Sequence, residues 1–380
     1  MTPLEGVVLD RIRSEGPMPF AAYMQLALYH PRHGYYGSGA PRTGWGGHFV
    51  TSSELDPAYA QLWLRGVEQI WIALERPAPF EIVEVGPGEG GFAHAFLSAL
   101  AGCDALAAAA SYRLVERVPA VAERQRAKLD GFGRVSWSRS LPEVPRAPAG
   151  CVLANEVLDN LPVHLVEMRG GELLELCVGA GADGLELVAR APSSPHLQAF
   201  LARLGVELPE SHRFEVPLAA EALIARAASA FERVGLILVD YGDDAQALAR
   251  HPRGSLVCYS GPVADDDPLD APGSKDITCH VNWTAVTARC RAAGLDVHGP
   301  VRQTEVLRAL GLGDLDAGLR AEHTTALAKG QGTRAVRALS RRQALGALAD
   351  PGGLGSLDVV VGLRPPGRLD FMSPDIAEGR

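Results

Sequence analysis

The segment Glu81-Ile-Val-Glu-Val-Gly-Pro-Gly-Glu-Gly-Gly91 is the strongest indication of the fold in this sequence. It predicts a short buried strand, Phe80–Val85, which ends in a glycine-rich turn and leads into a helix. Glycine permits positive φ and lets the backbone come close to a ligand. Because ligands of open α/β sheets lie beyond the carboxyl ends of the strands, we expect this turn to border a ligand site.

Apolar runs elsewhere in the chain extend this strand into a sheet. Further strands are predicted at residues 111–116, 134–137, 150–154, 235–240, 295–301 and 357–363. Helical patterns at residues 91–101 and 119–129 separate the first of these strands. Strands that alternate with helices at this spacing predict an α/β fold with a doubly wound, Rossmann-like sheet.

Two further segments flank and interrupt this sheet. In the N-terminal helical segment, Asp56 is expected to cap a helix that begins at Pro57. An inserted segment begins with a hairpin that turns at Gly170-Gly171 and continues as helices. We therefore divide the chain into a lid (residues 1–78), a core (79–161 and 232–380) and a substrate cap (162–231).

Composition argues against several classes of function. The net charge of −9 disfavours binding to phosphate backbones, and no apolar run is long enough for a signal peptide or a membrane span. The six cysteines form no CxxC pair, so the sequence predicts no metal site. We expect a cytoplasmic protein with reduced thiols that binds neither nucleic acid nor membrane, with a homodimer as the candidate assembly.

The glycine-rich turn fits two nucleoside cofactors. Gly86, Gly88 and Gly91 satisfy the G-x-G-x-x-G pattern of dinucleotide-binding proteins, so an NAD enzyme is an alternative. S-adenosylmethionine is favoured because Glu84 can face the cationic amino-acid end of that ligand. Glu116, at the end of the second strand, can bind both ribose hydroxyls of either cofactor. The predicted cofactor-binding residues of this region are Glu84, Gly86, Pro87, Gly88, Gly90 and Glu116.

A second group of candidates follows the strand at residues 150–154. A methyltransferase must align its acceptor with the sulfonium and accept the acceptor's proton. Glu156 and Asp159 would point the same way on a helical turn, and such a pair can hold a guanidinium by bidentate bonds. The alternative is that both carboxylates only favour a helix N-terminus. His164 is a candidate for substrate binding or proton transfer, or else for packing.

Two more segments allow either a functional or a structural role. Ser52 and Glu54 form part of a lid over the cofactor, with Glu54 as a further catalytic carboxylate, or else belong to a capping box that begins at Thr51. Asp276 and His280 line a substrate channel, or else mark a strand end followed by a helix cap.

Motifs along most of the chain share one resemblance. They are Pro19-Phe-Ala-Ala-Tyr-Met24, Pro31-Arg-His-Gly-Tyr-Tyr36, Gly47-His-Phe-Val-Thr-Ser-Ser-Glu54, Glu84-Val-Gly-Pro-Gly-Glu-Gly90, Ala154-Asn-Glu-Val-Leu-Asp-Asn-Leu-Pro-Val163, Val239-Asp-Tyr-Gly242 and the region from Asp267 to Trp283. In this order they resemble the MidA-like methyltransferase family. The resemblance implies a seven-stranded methyltransferase core, S-adenosylmethionine as cofactor, and an arginine of a protein or peptide as acceptor. It also implies that Asn155 and Glu156 lie beside the transferred methyl group.

The chain departs from the family pattern at two acidic positions, which are His48 and Asn282 here. We expect His48 to contact the substrate. The departures leave open a different acceptor, such as another peptide or a natural product methylated on nitrogen or oxygen. A further alternative is an assembly factor that keeps the fold and has lost turnover.

Overall fold

The structure is a computed structural model that describes residues 1–39, 52–261 and 263–373, without the side chains of residues 53 and 54. The predictions at His48, Thr51 and the Glu54 side chain therefore lie outside the described residues. Within these ranges, no helix combines the length and the apolar character that a membrane span needs.

Both helices and strands occur along the described ranges of the chain. The α-helices of the described ranges are α1 (Pro3–Glu15), α2 (Phe20–Tyr29), α3 (Ser52–Leu55), α4 (Pro57–Ala73), α5 (Gly91–Leu100), α6 (Asp104–Ala109), α7 (Pro119–Lys128), α8 (Pro195–Leu204), α9 (Leu218–Ser229), α10 (Ala245–Ala249), α11 (Trp283–Ala292), α12 (Gln303–Ala309), α13 (Leu312–Ala328) and α14 (Gly332–Leu348). The strands are β1 (Met18–Pro19), β2 (Phe80–Val85), β3 (Ala110–Val115), β4 (Val135–Ser138), β5 (Ala147–Asn155), β6 (His164–Arg169), β7 (Glu172–Ala180), β8 (Leu185–Arg190), β9 (Arg213–Val216), β10 (Phe231–Asp240), β11 (Gly242–Asp243), β12 (Val257–Ser260), β13 (Val263–Asp265), β14 (Asp276–Thr278), β15 (Val281–Asn282), β16 (Asp296–Arg302) and β17 (Asp358–Arg364). Every strand predicted for the core is present, with ends that differ from the predicted ones by a few residues.

Seven strands form the central sheet, in the order β16-β17-β10-β5-β2-β3-β4. The five strands from β10 to β4 are parallel, whereas β17 runs antiparallel to both β10 and β16. The strand order reverses between β2 and β5, which are neighbours in the sheet but not in the chain. The predicted α/β, Rossmann-like, seven-stranded core is confirmed, and such a reversal is where open α/β sheets bind their ligands.

The central strands are buried on both faces. On β2, Phe80 and Ile82 share an apolar core with residues of α4 and α5, whereas Val83 and Val85 share one with residues of α9 and α11. All six residues of β2 are buried. Because both faces of the sheet are apolar, the apolar residues of β2 do not follow a strict alternation in the sequence.

A second, antiparallel sheet joins the N-terminal segment to the insertion. In it β1 pairs with β7, β7 with β6 and β8, and β6 with β9. The predicted hairpin is confirmed, since Gly170 and Gly171 connect β6 to β7 with φ of 60° and 78°. After the hairpin the insertion contains the helices α8 and α9 and also two strands, β8 and β9, that the sequence did not predict. β8 is partly exposed and β9 has only four residues, so neither strand shows a clear alternation of apolar and polar residues in the sequence.

This second sheet brings distant segments together beside the central sheet. Leu4 and Phe20 from the N-terminal segment, Leu165 and Leu176 from the insertion, and Ile277 from β14 belong to one apolar cluster. The cluster therefore holds β14 against the N-terminal helices. The boundaries between lid, core and cap stay predictions.

The predicted cap of α4 is confirmed and offers a test of how this helix is held. The Asp56 carboxylate accepts a bond from the Ala58 N–H at 2.8 Å, and Arg341 of α14 donates to both its oxygens at 3.1 and 3.2 Å. We predict that Asp56→Ala lowers the free energy of unfolding by about 1 to 3 kcal/mol, because the cap and the charged bonds are lost together. Urea unfolding followed by circular dichroism measures the loss.

Asp56→Asn is the matched control for this prediction. Asparagine keeps an oxygen for the cap and removes the negative charge, so its loss is expected to be smaller. Equal losses in the two variants would contradict a capping role for Asp56.

Candidate active site

A cavity of about 530 Å³ lies at the reversal of the central sheet. That volume is within the range of small-molecule sites, and the walls come largely from the carboxyl ends of β2, β3, β5 and β10. Many of the residues predicted for the site line this cavity: Glu84, Gly86, Pro87, Gly88, Glu116, Asn155, Glu156, Asp159 and Asp276. The tertiary structure therefore brings the predicted cofactor and acceptor residues into one space.

The glycine turn after β2 forms one wall as bare backbone. Gly86 and Gly88 have φ of 64° and 52°, in the left-handed region that favours glycine. A Cβ on Gly86 would lie 2.8 Å from Cγ2 of Val157, so the turn packs directly against the loop after β5. A larger residue at Gly86 would push the two loops apart and change the width of the cavity.

The two carboxylates predicted to bind the cofactor line the cavity. Glu84 accepts a hydrogen bond from the Tyr112 hydroxyl at 2.8 Å, and burial raises the pKa of its carboxyl to about 7. Glu116, just after β3, accepts a bond from the Val118 N–H at 2.7 Å, and burial raises its pKa as well. A cationic amino group beside Glu84 would favour the ionised form, as predicted for S-adenosylmethionine.

Glu156 occupies an unusual backbone position directly after β5. Its φ is 51°, in the left-handed region that costs a non-glycine residue about 1 to 2 kcal/mol. Its Oε1 accepts bonds from the Ser52 N–H and the Asn155 Nδ2, both at 3.1 Å. Loss of contact with water raises the pKa of its carboxyl to about 7, and the charge of Asp159 acts in the same direction. Such a group can accept a proton near neutral pH.

Asp159 lies deeper, among tyrosines and a second aspartate. The Tyr241 hydroxyl donates to its Oδ2 at 2.8 Å, while Oδ1 is buried and has no hydrogen-bond partner among the described residues. Burial, followed by the charge of Asp276, raises the pKa of the Asp159 carboxyl. The Tyr36 hydroxyl donates to Asp276 at 2.7 Å, so each of the two aspartates has a tyrosine partner.

Asp240 is a residue of the site that the sequence analysis missed. It is fully buried at the end of β10, and its Oδ2 accepts bonds from the N–H groups of Val157, Leu158 and Asp159 at 3.1, 2.9 and 3.3 Å. The carboxylate thereby holds the loop that carries Glu156. A signal was present, because Asp240 ends a predicted strand as Glu116 does.

The structure corrects the predicted local geometry of the acceptor pair. No helix follows β5, because the next element is β6, so Glu156 and Asp159 share neither a helical turn nor a helix N-terminus. The bonds from Asp240 take the place of a helical turn. Both side chains reach the same cavity by way of this loop and not through helical spacing.

Four predicted contact residues lie outside the cavity lining. Ser52 donates its N–H to Glu156, and Gly90, with φ of 75°, is the N-cap residue of α5. His164 pairs with Glu175, with 2.7 Å between Nδ1 and Oε1, which corresponds to the packing alternative. His280 is exposed, and its ring contacts that of Tyr241 edge-on at 5.4 Å between centroids.

The family departure at Asn282 has a structural explanation. Asn282 is buried, and its Oδ1 accepts the Ala285 N–H at 3.0 Å as the N-cap of α11. Asparagine and aspartate cap helices about equally well, so this substitution keeps the cap. Asn282 does not line the cavity, and its change from an acidic residue therefore removes no carboxylate from the acceptor side.

The strand order and the glycine turn at the cavity are typical of Rossmann-like enzymes that bind a nucleoside cofactor at the strand reversal, and here carboxylates line the same cavity. Residues 65–301 match the family described as S-adenosyl-L-methionine-dependent methyltransferase, and the chain belongs to that family. It is an S-adenosylmethionine-dependent methyltransferase, so the predicted cofactor is confirmed and NAD is not the cofactor.

Similar proteins agree with this membership and with the predicted MidA-like resemblance. A COG1565 superfamily member from Burkholderia thailandensis, solved with S-adenosyl-homocysteine bound, has a TM-score of 0.84 and 29% identity over 98% of this chain and 94% of that chain. The mitochondrial protein arginine methyltransferase NDUFAF7 of Mus musculus is 28% identical over 82% of this chain and 75% of that protein. Its Drosophila melanogaster homolog is 29% identical over 77% of this chain and 71% of that protein.

The left-handed backbone at Glu156 generates a prediction that separates stability from activity. We expect Glu156→Gly to keep the free energy of unfolding within about 1 kcal/mol of the parent, because relief of the backbone offsets the lost side-chain bonds. Methyl transfer should fall by about 100-fold or more, because the carboxylate is gone. Thermal unfolding and a coupled assay for S-adenosylhomocysteine measure the two effects.

Glu156→Ala is the matched control, since it removes the same carboxylate and keeps a Cβ. It should be about 1 kcal/mol less stable than Glu156→Gly. If alanine and glycine gave equal stability, the strain assigned to this position would be wrong.

Proposed function

We propose that this methyltransferase transfers a methyl group to a guanidinium nitrogen of an arginine in a protein or peptide. The observation that carries the proposal is the buried Oδ1 of Asp159, which has no hydrogen-bond partner among the described residues. A buried anionic oxygen without a donor is costly, so a donor from the acceptor is expected to complete the site. An arginine side chain supplies a permanent positive charge and five N–H donors.

The surroundings of Asp159 fit a flat cation. Tyr36 and Tyr241 line the cavity and use their hydroxyls on Asp276 and Asp159, which keeps these rings beside the carboxylates. A guanidinium can stack on tyrosine faces while its edge donates to carboxylates. The names of the mitochondrial relatives, which are protein arginine methyltransferases, support the same acceptor.

Different groups supply the methyl, orient the acceptor and accept its proton in the proposed reaction. S-adenosylmethionine, when bound against the glycine turn, supplies an electrophilic methyl group. Asp159 holds and orients the guanidinium, and Glu156, next to the cofactor side, faces the reacting nitrogen. As the N–C bond forms and the C–S bond breaks, Glu156 accepts the proton that this nitrogen loses, and S-adenosylhomocysteine leaves.

The proposal also covers the cellular compartment, which we expect to be the reducing cytoplasm, and the oligomeric state. All six cysteines are unpaired and five of them are buried, which supports the cytoplasm as the location. The homodimer and the lack of nucleic-acid binding stay predictions. Light scattering and a filter-binding assay with labelled RNA and DNA would test them.

The acceptor can be identified by mass spectrometry. The purified enzyme is incubated with a cell lysate and isotopically labelled S-adenosylmethionine, and the labelled peptides are sequenced. We expect the label on arginine nitrogens, and a resynthesised peptide with citrulline at that position should accept no methyl group, because it lacks the charge. Label confined to carboxylates, lysines or small metabolites would overturn the proposal.

Asp159→Asn tests the residue that carries the proposal. We expect methylation of the identified peptide to fall at least about tenfold through a higher KM, because a charged hydrogen bond to the acceptor is lost. The Kd for S-adenosylhomocysteine, measured by calorimetry, should stay within about twofold, because Asp159 lies on the acceptor side. A variant with normal KM and a weakened Kd would assign Asp159 to the cofactor instead.

The raised pKa of Glu156 predicts the direction of the pH dependence. A carboxyl with a pKa of about 7 is protonated at acid pH and can accept a proton only above its pKa. We therefore expect kcat to rise as pH increases from about 6 to about 8. The positive charge of the bound sulfonium favours the ionised carboxylate, so it should move the midpoint of this pH profile below the pKa of Glu156 in the free enzyme. In Glu156→Gln this rise should be lost, and a flat parent profile would exclude Glu156 as the base.

A further inference from the structure

One buried amide connects the two parts of the cofactor site without lining the cavity. Gln125 of α7 has no exposed surface, and its Nε2 donates to the Gly88 carbonyl at 2.7 Å and to Oε2 of Glu116 at 3.3 Å. Gly88 belongs to the turn after β2, and Glu116 follows β3. The amide therefore joins the glycine turn to the carboxylate predicted to bind the ribose.

The orientation of this amide is fixed by a third partner. The Trp137 indole N–H, on β4, donates to Oε1 of Gln125 at 3.0 Å. An indole N–H can only donate, so the amide oxygen must face Trp137 and the two N–H donors must face Gly88 and Glu116. Both N–H donors and one lone pair of the amide oxygen are thus used.

The chain makes room for this amide at Gly90. A Cβ on Gly90 would lie 3.3 Å from Cγ of Gln125, closer than ordinary van der Waals contact. Gly90 is outside the cavity lining, and its small size leaves room for the packing of Gln125. Together with its φ of 75°, this explains a glycine that the sequence analysis assigned to cofactor binding.

We infer that Gln125 is a positioning residue for the cofactor, which aims Glu116 at the ribose, and that Trp137 sets the direction of its amide. The Val118 N–H holds Oε1 of Glu116 at 2.7 Å and Gln125 holds Oε2, so both oxygens are fixed. Each oxygen keeps a further lone pair for a ribose hydroxyl. The inference rests on the assignment of Glu116 to the ribose and does not depend on the identity of the acceptor.

A thermodynamic cycle on ligand affinity tests this inference. The Kd for S-adenosylhomocysteine is measured by calorimetry in the parent, Gln125→Leu, Glu116→Ala and the double variant. We expect Gln125→Leu to raise the Kd by about tenfold or more in the parent, and by less than about threefold in the Glu116→Ala background. That non-additivity is the signature of a residue that acts through Glu116.

Two results of the cycle would overturn the inference. An unchanged Kd in Gln125→Leu would show that the amide has no influence on the cofactor. An equal loss in both backgrounds would show that Gln125 supports the fold independently of Glu116. The binding measurements contain no acceptor, so neither result bears on the proposal of an arginine acceptor. Conversely, if that proposal fails, the cycle still tests whether Gln125 acts through Glu116.

Trp137→Phe provides a milder variant if Gln125→Leu does not fold. It keeps a ring in place and removes the N–H that orients the amide. We expect its Kd for S-adenosylhomocysteine to rise by about threefold, as for the loss of one neutral hydrogen bond, and again only when Glu116 is present. A Kd equal to that of the parent would contradict the orienting role of Trp137.

Discussion

Four backbone N–H groups converge on the carboxylate of Asp240, and the geometry of the active site depends on them. Three come from consecutive residues of the loop after β5, and the fourth, from Tyr241, lies 2.9 Å from Oδ1. Because these donors all bind one buried carboxylate, they fix the loop after β5, which has no regular secondary structure. This arrangement also accounts for the left-handed backbone of Glu156, since the surroundings must impose a conformation that glutamate alone disfavours.

Several carboxylates share the space around this loop, at a cost in stability. Burial raises the pKa values of Glu84, Glu156 and Asp159, and the mutual repulsion of Glu156 and Asp159, and of Asp159 and Asp276, adds to the effect. In a protein interior such a cluster is unfavourable unless cations or donors complete it. Cofactor and acceptor are both cationic in the proposed reaction, so substrates are expected to stabilise the site.

The two sides of the site differ in how far they could be predicted from sequence. Glu84, Gly86 and Gly88 belong to one strand and one turn, and local pattern was enough to group them. Asp159 was predicted as a site residue because a helical turn was expected after β5. In the structure that segment is a loop, which is held by hydrogen bonds to Asp240. Tyr36 was missed as a partner of the aspartates because its contact with Asp276 joins residues 240 positions apart.

The strands of the central sheet, their alternation with helices and a nucleoside cofactor could be predicted from the sequence, because a strand, a glycine turn and a following carboxylate are recognised from neighbouring residues. Which side chains meet depends on the tertiary structure. Asp276 reaches Asp159 only because the apolar cluster of the N-terminal segment and the insertion carries β14 to the cavity. Gln125 reaches Glu116 only because α7 packs back on the turn that precedes it. Contacts of this kind depend on chain crossings and side-chain packing in three dimensions, which leave no periodic signal in the sequence.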